Sequence, residues 1–253
     1  MLTLLQTVIA ATITMLATGL GGLPFVFVRR FPDEVARLGW AVAGGMMLSA
    51  SVFNLIIPGV EEGGITPVAI GVLVGTALFG WASTLISGHE HDERGIPVPG
   101  AAVRGNARIV LILGTMFIHS FPEGLAIGVA YGSGIASLGL LMTVAIAVHN
   151  IPEGVAVSLP LRAEGVSGWK CVGWAIFSSL PQPIAAIPAF LAVQAFRPVL
   201  PFALGLAAGA MFFLVLSEMI PESRADEGQR LSSALATMVG FLALMVLQNV
   251  MVF

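Results

Sequence analysis

The chain has 253 residues, of which 57% are hydrophobic and only 10% charged, with a formal net charge of −3. Soluble domains carry roughly 25% Asp, Glu, Lys and Arg, so this composition excludes an ordinary water-soluble fold. The slight excess of acids marks no polyanionic partner, and nucleic acid is not expected as one.

A hydrocarbon core about 30 Å thick needs about 20 apolar residues at a rise of about 1.5 Å each. Windows nearly free of charge fall near residues 2–27, 38–60, 65–87, 109–130, 138–160, 171–194, 199–221 and 231–252. They predict an all-α polytopic membrane protein with eight transmembrane helices, a single domain over 1–253. The first 28 residues lack a basic start and a small-residue cleavage site, so they read as the first span and not as a signal peptide. Gly132-Ser133-Gly134 marks the turn between spans four and five. The longest polar stretch, 88–108, reads as a cytoplasmic loop. The single cysteine, Cys171, excludes an intramolecular disulfide.

Basic residues set the expected orientation. Arg29, Arg30, Arg37, Arg94, Arg104, Arg108, Arg162, Lys170, Arg224 and Arg230 all follow odd-numbered spans, and only Arg197 falls on the opposite face. Both termini are therefore expected on the non-cytoplasmic side. Gly71 with Gly75, and Gly205 with Gly209, have the four-residue spacing that lets helix backbones approach closely in lipid.

Apart from Glu218 in span seven, the charges inside these windows belong to one repeated pattern. His119-Ser120-Phe121-Pro122-Glu123-Gly124 lies in span four and His149-Asn150-Ile151-Pro152-Glu153-Gly154 in span five. An ionisable group at the bilayer centre costs at least about 2.5–3.5 kcal/mol, so four of them require pairing, water or a bound cation. In each copy the His and Glu are four apart and share a helix face. Nitrogen and carboxylate ligands together suit Zn²⁺, Fe²⁺ or Mn²⁺, whereas a calcium site would be all oxygen. Each proline leaves a carbonyl four residues earlier, at Ile118 and Val148, without its helical partner. Broken backbone at that depth is tolerated where it lines a cavity or is buried in protein. Spans four and five run antiparallel and the pairs overlap in depth to about a helical turn. His119, Glu123, His149 and Glu153 can then form one site whose two carboxylates balance one divalent ion.

With eight spans, a His-bearing loop after span three, the paired His-x-x-Pro-Glu-Gly motif and Gly-Leu-Ala-Ala-Gly-Ala at 205–210, the chain resembles the ZIP (Zrt/Irt-like) family of divalent-metal transporters in its bacterial branch. The resemblance covers the whole chain. It implies uptake of zinc, iron, manganese or cadmium through a site on spans four and five, assisted by two and six, with spans one, four, five and six moving against two, three, seven and eight. Carried across by position, His119, Glu123, His149 and Glu153 are the implied ligands. Met47 on span two is a candidate soft ligand, or simply core filling. Where many relatives build a neighbouring second site, this chain has the neutral residues Ser120, Asn150 and Gln182. A second divalent ion would set +4 against −2, so a mononuclear site is expected, with these three as outer-shell groups or weak ligands. For Gln182, an interhelical hydrogen bond beside Pro181 and Pro183 is an equal alternative.

In the loop after span three, His89, Glu90, His91, Asp92 and Glu93 form a metal-friendly cluster or an ordinary solvated charge run. Glu61 and Glu62 lie just outside span two. Glu218 is a candidate exit ligand or proton relay, and Glu222 reads as interfacial. The expected function is transport of a divalent metal ion, zinc first, into the cytoplasm, with no cofactor beyond the transported ion. Zn²⁺, Fe²⁺, Mn²⁺ and Cd²⁺ all suit the ligands. The expected partners are the ion, the lipid bilayer of an inner membrane if the source is bacterial, and a second copy of the chain as a candidate. The alternative is an intramembrane metal-dependent hydrolase, although neither motif copy has the His-Glu-x-x-His order of zinc proteases.

Overall fold

In the computed structural model, residues 3–28, 32–86, 106–224 and 227–252 are described. Helix α1 (Leu4–Gly22) starts at a capping box in which Thr3 and Gln6 satisfy each other's end groups, and short α2 (Pro24–Phe27) continues it after a break at Leu23. Span two is α3 (Asp33–Ala50), a π-helical segment Ser51–Ile56 and α4 (Ile57–Gly63). Span three is α5 (Ile65–Ile86). The motif helices α6 (Asn106–Gly132) and α7 (Ala136–Ala163) are 27 and 28 residues long. Span six is split into α8 (Gly168–Ser178) and α9 (Pro181–Ala195). Span seven is α10 (Leu200–Leu214), a second π-helical segment Val215–Met219 and α11 (Ile220–Glu222), and span eight is α12 (Arg230–Val252). Seven segments among the described residues are long and apolar enough to cross a membrane, and α6 is the remaining long helix of the bundle.

The expected turn lies between α6 and α7, where Gly134 adopts a φ of 77°. Arg197 donates to the Ser133 carbonyl at 2.5 Å and ties this turn to the start of span seven. Two features depart from the uninterrupted spans read in the sequence. Span six breaks at Ser179-Leu180, where Pro181 starts a new helix. Spans two and seven each widen into a π-turn, and Pro58 and Pro221 follow at the second residue of the next helical segment. A proline cannot supply the next ladder N–H, and π-turns recur at functional positions.

The helices form two groups. α1, α6, α7, α8 and α9 pack together, as do α3, α4, α5, α10 and α12, and the groups meet where α3 lies on α7 and α10 on α6. The tightest pairs are α5 with α10, α6 with α9, α3 with α12 and α1 with α7. In the first of these, a Cβ on Gly71 or Gly75 would overlap backbone of α10, and one on Gly205 or Gly209 would overlap backbone of α5. Lipid tails are as apolar as the side chains, so close backbone approach of this kind, and not hydrophobic burial, drives association.

Candidate metal site

The last residue of each motif is what seats its helix. A Cβ on Gly124 would run into the Gln182 carbonyl of α9, and one on Gly154 into the Thr18 carbonyl of α1. Each motif helix is thus pressed onto a neighbour outside the α6–α7 pair, and the faces bearing the acids are left to meet between them.

They meet at Glu123, His149 and Glu153, whose offered ligand atoms all lie within 4.8 Å of one another and whose side chains are all buried. His149 Nδ1 is 3.0 Å from the Ala145 carbonyl. A carbonyl brings no proton, so Nδ1 donates to it, and Nε2 is the nitrogen turned toward the cluster. A second hydrogen bond of this kind is how ligating histidines are generally held. Nε2 lies 3.2 Å from Glu123 Oε1. One shared proton or one bound cation satisfies both atoms at that distance. Two ligands of a tetrahedral zinc, each about 2.0–2.1 Å from the ion, stand about 3.3 Å apart, so the observed spacing suits a shared ion. Glu153 Oε1 is buried without a hydrogen-bond partner, an acceptor left open toward the same cluster.

The fourth expected ligand points elsewhere. His119 is buried, with neither ring nitrogen hydrogen-bonded, and its Nδ1 stands 3.3 Å from Glu218 Oε2. Its ring also meets the edge of Trp40 on α3, with centroids 6.2 Å apart. His119 therefore sits at the seam between the helix groups, one turn of α6 away from Glu123. The physical reason lies in span seven: an extra residue in the Val215–Met219 π-turn rotates the helix beyond it by about 100° relative to a regular helix, and Glu218 on that turn reaches α6. Ser83 donates to the other Glu218 oxygen at 3.4 Å.

Met47 is fully buried within the hydrophobic core that includes Met142 and Ile146. Ser120 is buried and donates to the Met116 carbonyl of its own helix at 3.3 Å. Gln182 and Asn150 adjoin the cluster: Gln182 Nε2 donates to Glu123 Oε2 at 2.5 Å, and Asn150 Nδ2 lies 3.3 Å from Gln182 Oε1. Glu61, Glu62 and Glu222 are exposed. His89, Glu90, His91, Asp92 and Glu93 lie outside the described residues.

Sequence reasoning missed Thr14, whose hydroxyl lies 2.6 Å from Gln182 Oε1, and Asn54, which is buried in the first π-turn with its amide nitrogen unpartnered. A signal for Thr14 exists: Thr7, Thr14 and Thr18 recur at a spacing of seven and then four, all buried, in an otherwise apolar span.

The profile of the ZIP zinc transporter family matches residues 81–248, the stretch that carries both motifs. The chain belongs to the ZIP family. Among its relatives, zinc transporter ZIPB of Bordetella bronchiseptica is 36% identical over 241 residues, covering 92% of this chain and 77% of that protein. Zinc transporter GufA of Myxococcus xanthus is 32% identical over 248 residues, covering 94% and 96%. A protein of Arabidopsis thaliana named as a zinc transporter is 44% identical over 220 residues, or 86% of this ZIP chain, but the chain spans only 35% of that relative's length. With its apolar helices, this ZIP chain is an integral membrane protein.

Proposed function

We propose that this ZIP protein carries a divalent transition-metal ion, zinc first, across the membrane to the cytoplasm, one ion at a time, through a site made by Glu123, His149 and Glu153. The observation that carries the reading is the buried trio itself, with the His149 ring held by Ala145 so that its other nitrogen faces Glu123. Its two carboxylates match the charge of one divalent ion. His119 and Glu218, paired 3.3 Å apart at the seam between the helix groups, form the next polar station along the path. Fe²⁺, Mn²⁺ and Cd²⁺ suit the same ligands, since affinity for such sites follows availability as well as geometry. Met47 serves as core filling in this reading. The membrane is the inner membrane if the source is bacterial. No observation favours the hydrolase alternative: the similar proteins carry zinc-transporter names, and the motif order lacks the general base of zinc proteases.

The test is Zn²⁺ uptake into sealed proteoliposomes by the wild type, His149→Ala and Glu123→Gln, each checked for folding. Uptake above empty vesicles that is lost in both variants is expected. Wild-type vesicles that take up no more than empty ones, or variants that transport normally, would overturn the proposal.

A further inference from the structure

A chain of hydrogen bonds leads from the backbone of span one to the metal site, and its direction follows from one atom. The Thr14 carbonyl oxygen can only accept, and Asn150 meets it at 2.8 Å, so the Asn150 side chain must present nitrogen there. The same nitrogen lies 3.3 Å from the Gln182 side chain, so the Gln182 atom facing it must be oxygen. The Thr14 hydroxyl meets that oxygen at 2.6 Å. The other end of the Gln182 amide is then nitrogen, and it lies 2.5 Å from Glu123 Oε2. All four groups are buried: Thr14, Asn150 and Gln182 are at 0% exposure and so is Glu123. No flip of either amide keeps these contacts, since each would set donor against donor or acceptor against acceptor.

Glu123 is held from two sides as a result. Oε1 faces His149 Nε2, and Oε2 accepts from Gln182. When the acceptor is an ionised carboxylate, such a bond is about twice as strong as a neutral one. It also fixes which oxygen is left for the ion.

We propose, resting on the metal-site reading above, that Gln182 is the positioning residue of Glu123, locked by Asn150 and Thr14 so that its amide nitrogen holds Glu123 Oε2 and leaves Oε1 for the ion. One oxygen of Glu123 is thereby taken by a neutral internal donor and is not open to a further cation. The relay also joins three helices, α1, α7 and α9, to a ligand on α6, so the geometry of the ion depends on a residue of span one that never touches it.

The test measures Zn²⁺ binding by the full-length protein in detergent, by titration calorimetry with elemental analysis of bound zinc, alongside thermal unfolding. The variants are Gln182→Met, nearly isosteric without the amide; Asn150→Leu; Thr14→Val; and Thr14→Ser, which restores a hydroxyl. Outer-shell partners of metal ligands contribute about 10- to 100-fold to affinity, and a loss in that range is expected for Gln182→Met and Asn150→Leu. A smaller loss is expected for Thr14→Val, recovered in Thr14→Ser. Folded Gln182→Met and Asn150→Leu proteins that bind zinc as tightly as wild type would overturn the relay. Two tightly bound ions lost together in His149→Ala would overturn the single-ion assignment. A His149→Ala control separates the failures: if it binds zinc normally, the site reading itself falls, whereas if it alone loses binding, only the relay does.

Discussion

Glu153→Gln should move stability and zinc binding in opposite directions. In the metal-free protein Glu123 and Glu153 offer oxygens within 4.8 Å of each other, both buried. At an effective dielectric constant of about 20, two unit charges at that distance repel by about 3.5 kcal/mol. The apo protein must bear this repulsion or take up a proton to relieve it. Replacing Glu153 by its neutral isostere removes either burden without creating a cavity. Glu153 Oε1 makes no hydrogen bond that the change would break. The metal-free variant should therefore melt at or above the metal-free wild type. The same change leaves one negative charge to meet a divalent ion. Wild-type protein at a zinc concentration 100 times its dissociation constant gains about 2.7 kcal/mol, and the variant should gain almost none at that concentration. Differential scanning fluorimetry in detergent, with and without Zn²⁺, reads both quantities at once. If apo Glu153→Gln melts well below apo wild type, or if zinc stabilises it as fully as wild type, the electrostatic account is wrong.

Separate roles for the two histidines predict that His149→Ala weakens zinc binding by more than the roughly 100-fold range of outer-shell partners. His119→Ala should leave equilibrium binding near the wild-type value and slow vesicle uptake. Calorimetry paired with a flux assay distinguishes them, and equal losses of affinity would mean that His119 swings into the trio. Gln182→Glu adds a third acid beside Glu123 and should raise bound zinc from one ion to two per chain by elemental analysis; an unchanged ratio argues against the amide as the group that closes Glu123 Oε2 to a further cation. Gly154→Ala drives a methyl into the Thr18 carbonyl and should cost about 1–3 kcal/mol, the usual range for overpacking, read as a lower melting temperature in both metal-free and zinc-loaded protein.

Helix count and motif were legible because lipid demands them. Runs of about 20 apolar residues have few other uses, and His and Glu within them need a cation or a partner. The glycine spacing at 71, 75, 205 and 209 was legible for a similar reason, and the structure pairs these four across α5 and α10. Side-chain direction was not legible. A helix that faces lipid on one side and apolar protein on the other carries little amphipathic signal, so nothing in span seven foretold that Glu218 would reach His119. The π-turns at Ser51–Ile56 and Val215–Met219 change the backbone bonding of a few residues, and Pro58 and Pro221 gave the only hint. The Thr14 contact joins residues 168 positions apart and depends on α1 lying close to α7 and α9. That proximity is a tertiary fact, although the buried threonine stripe was there to be noticed.

Because Gly124 and Gly154 rest directly on foreign backbone, neither ligand-bearing segment can slide without dragging a companion. α6 is yoked to α9, and α7 to α1. The tunable freedom of the protein therefore lies between yoked units, and a single methyl added at either glycine would loosen a yoke while leaving every metal-binding atom chemically intact.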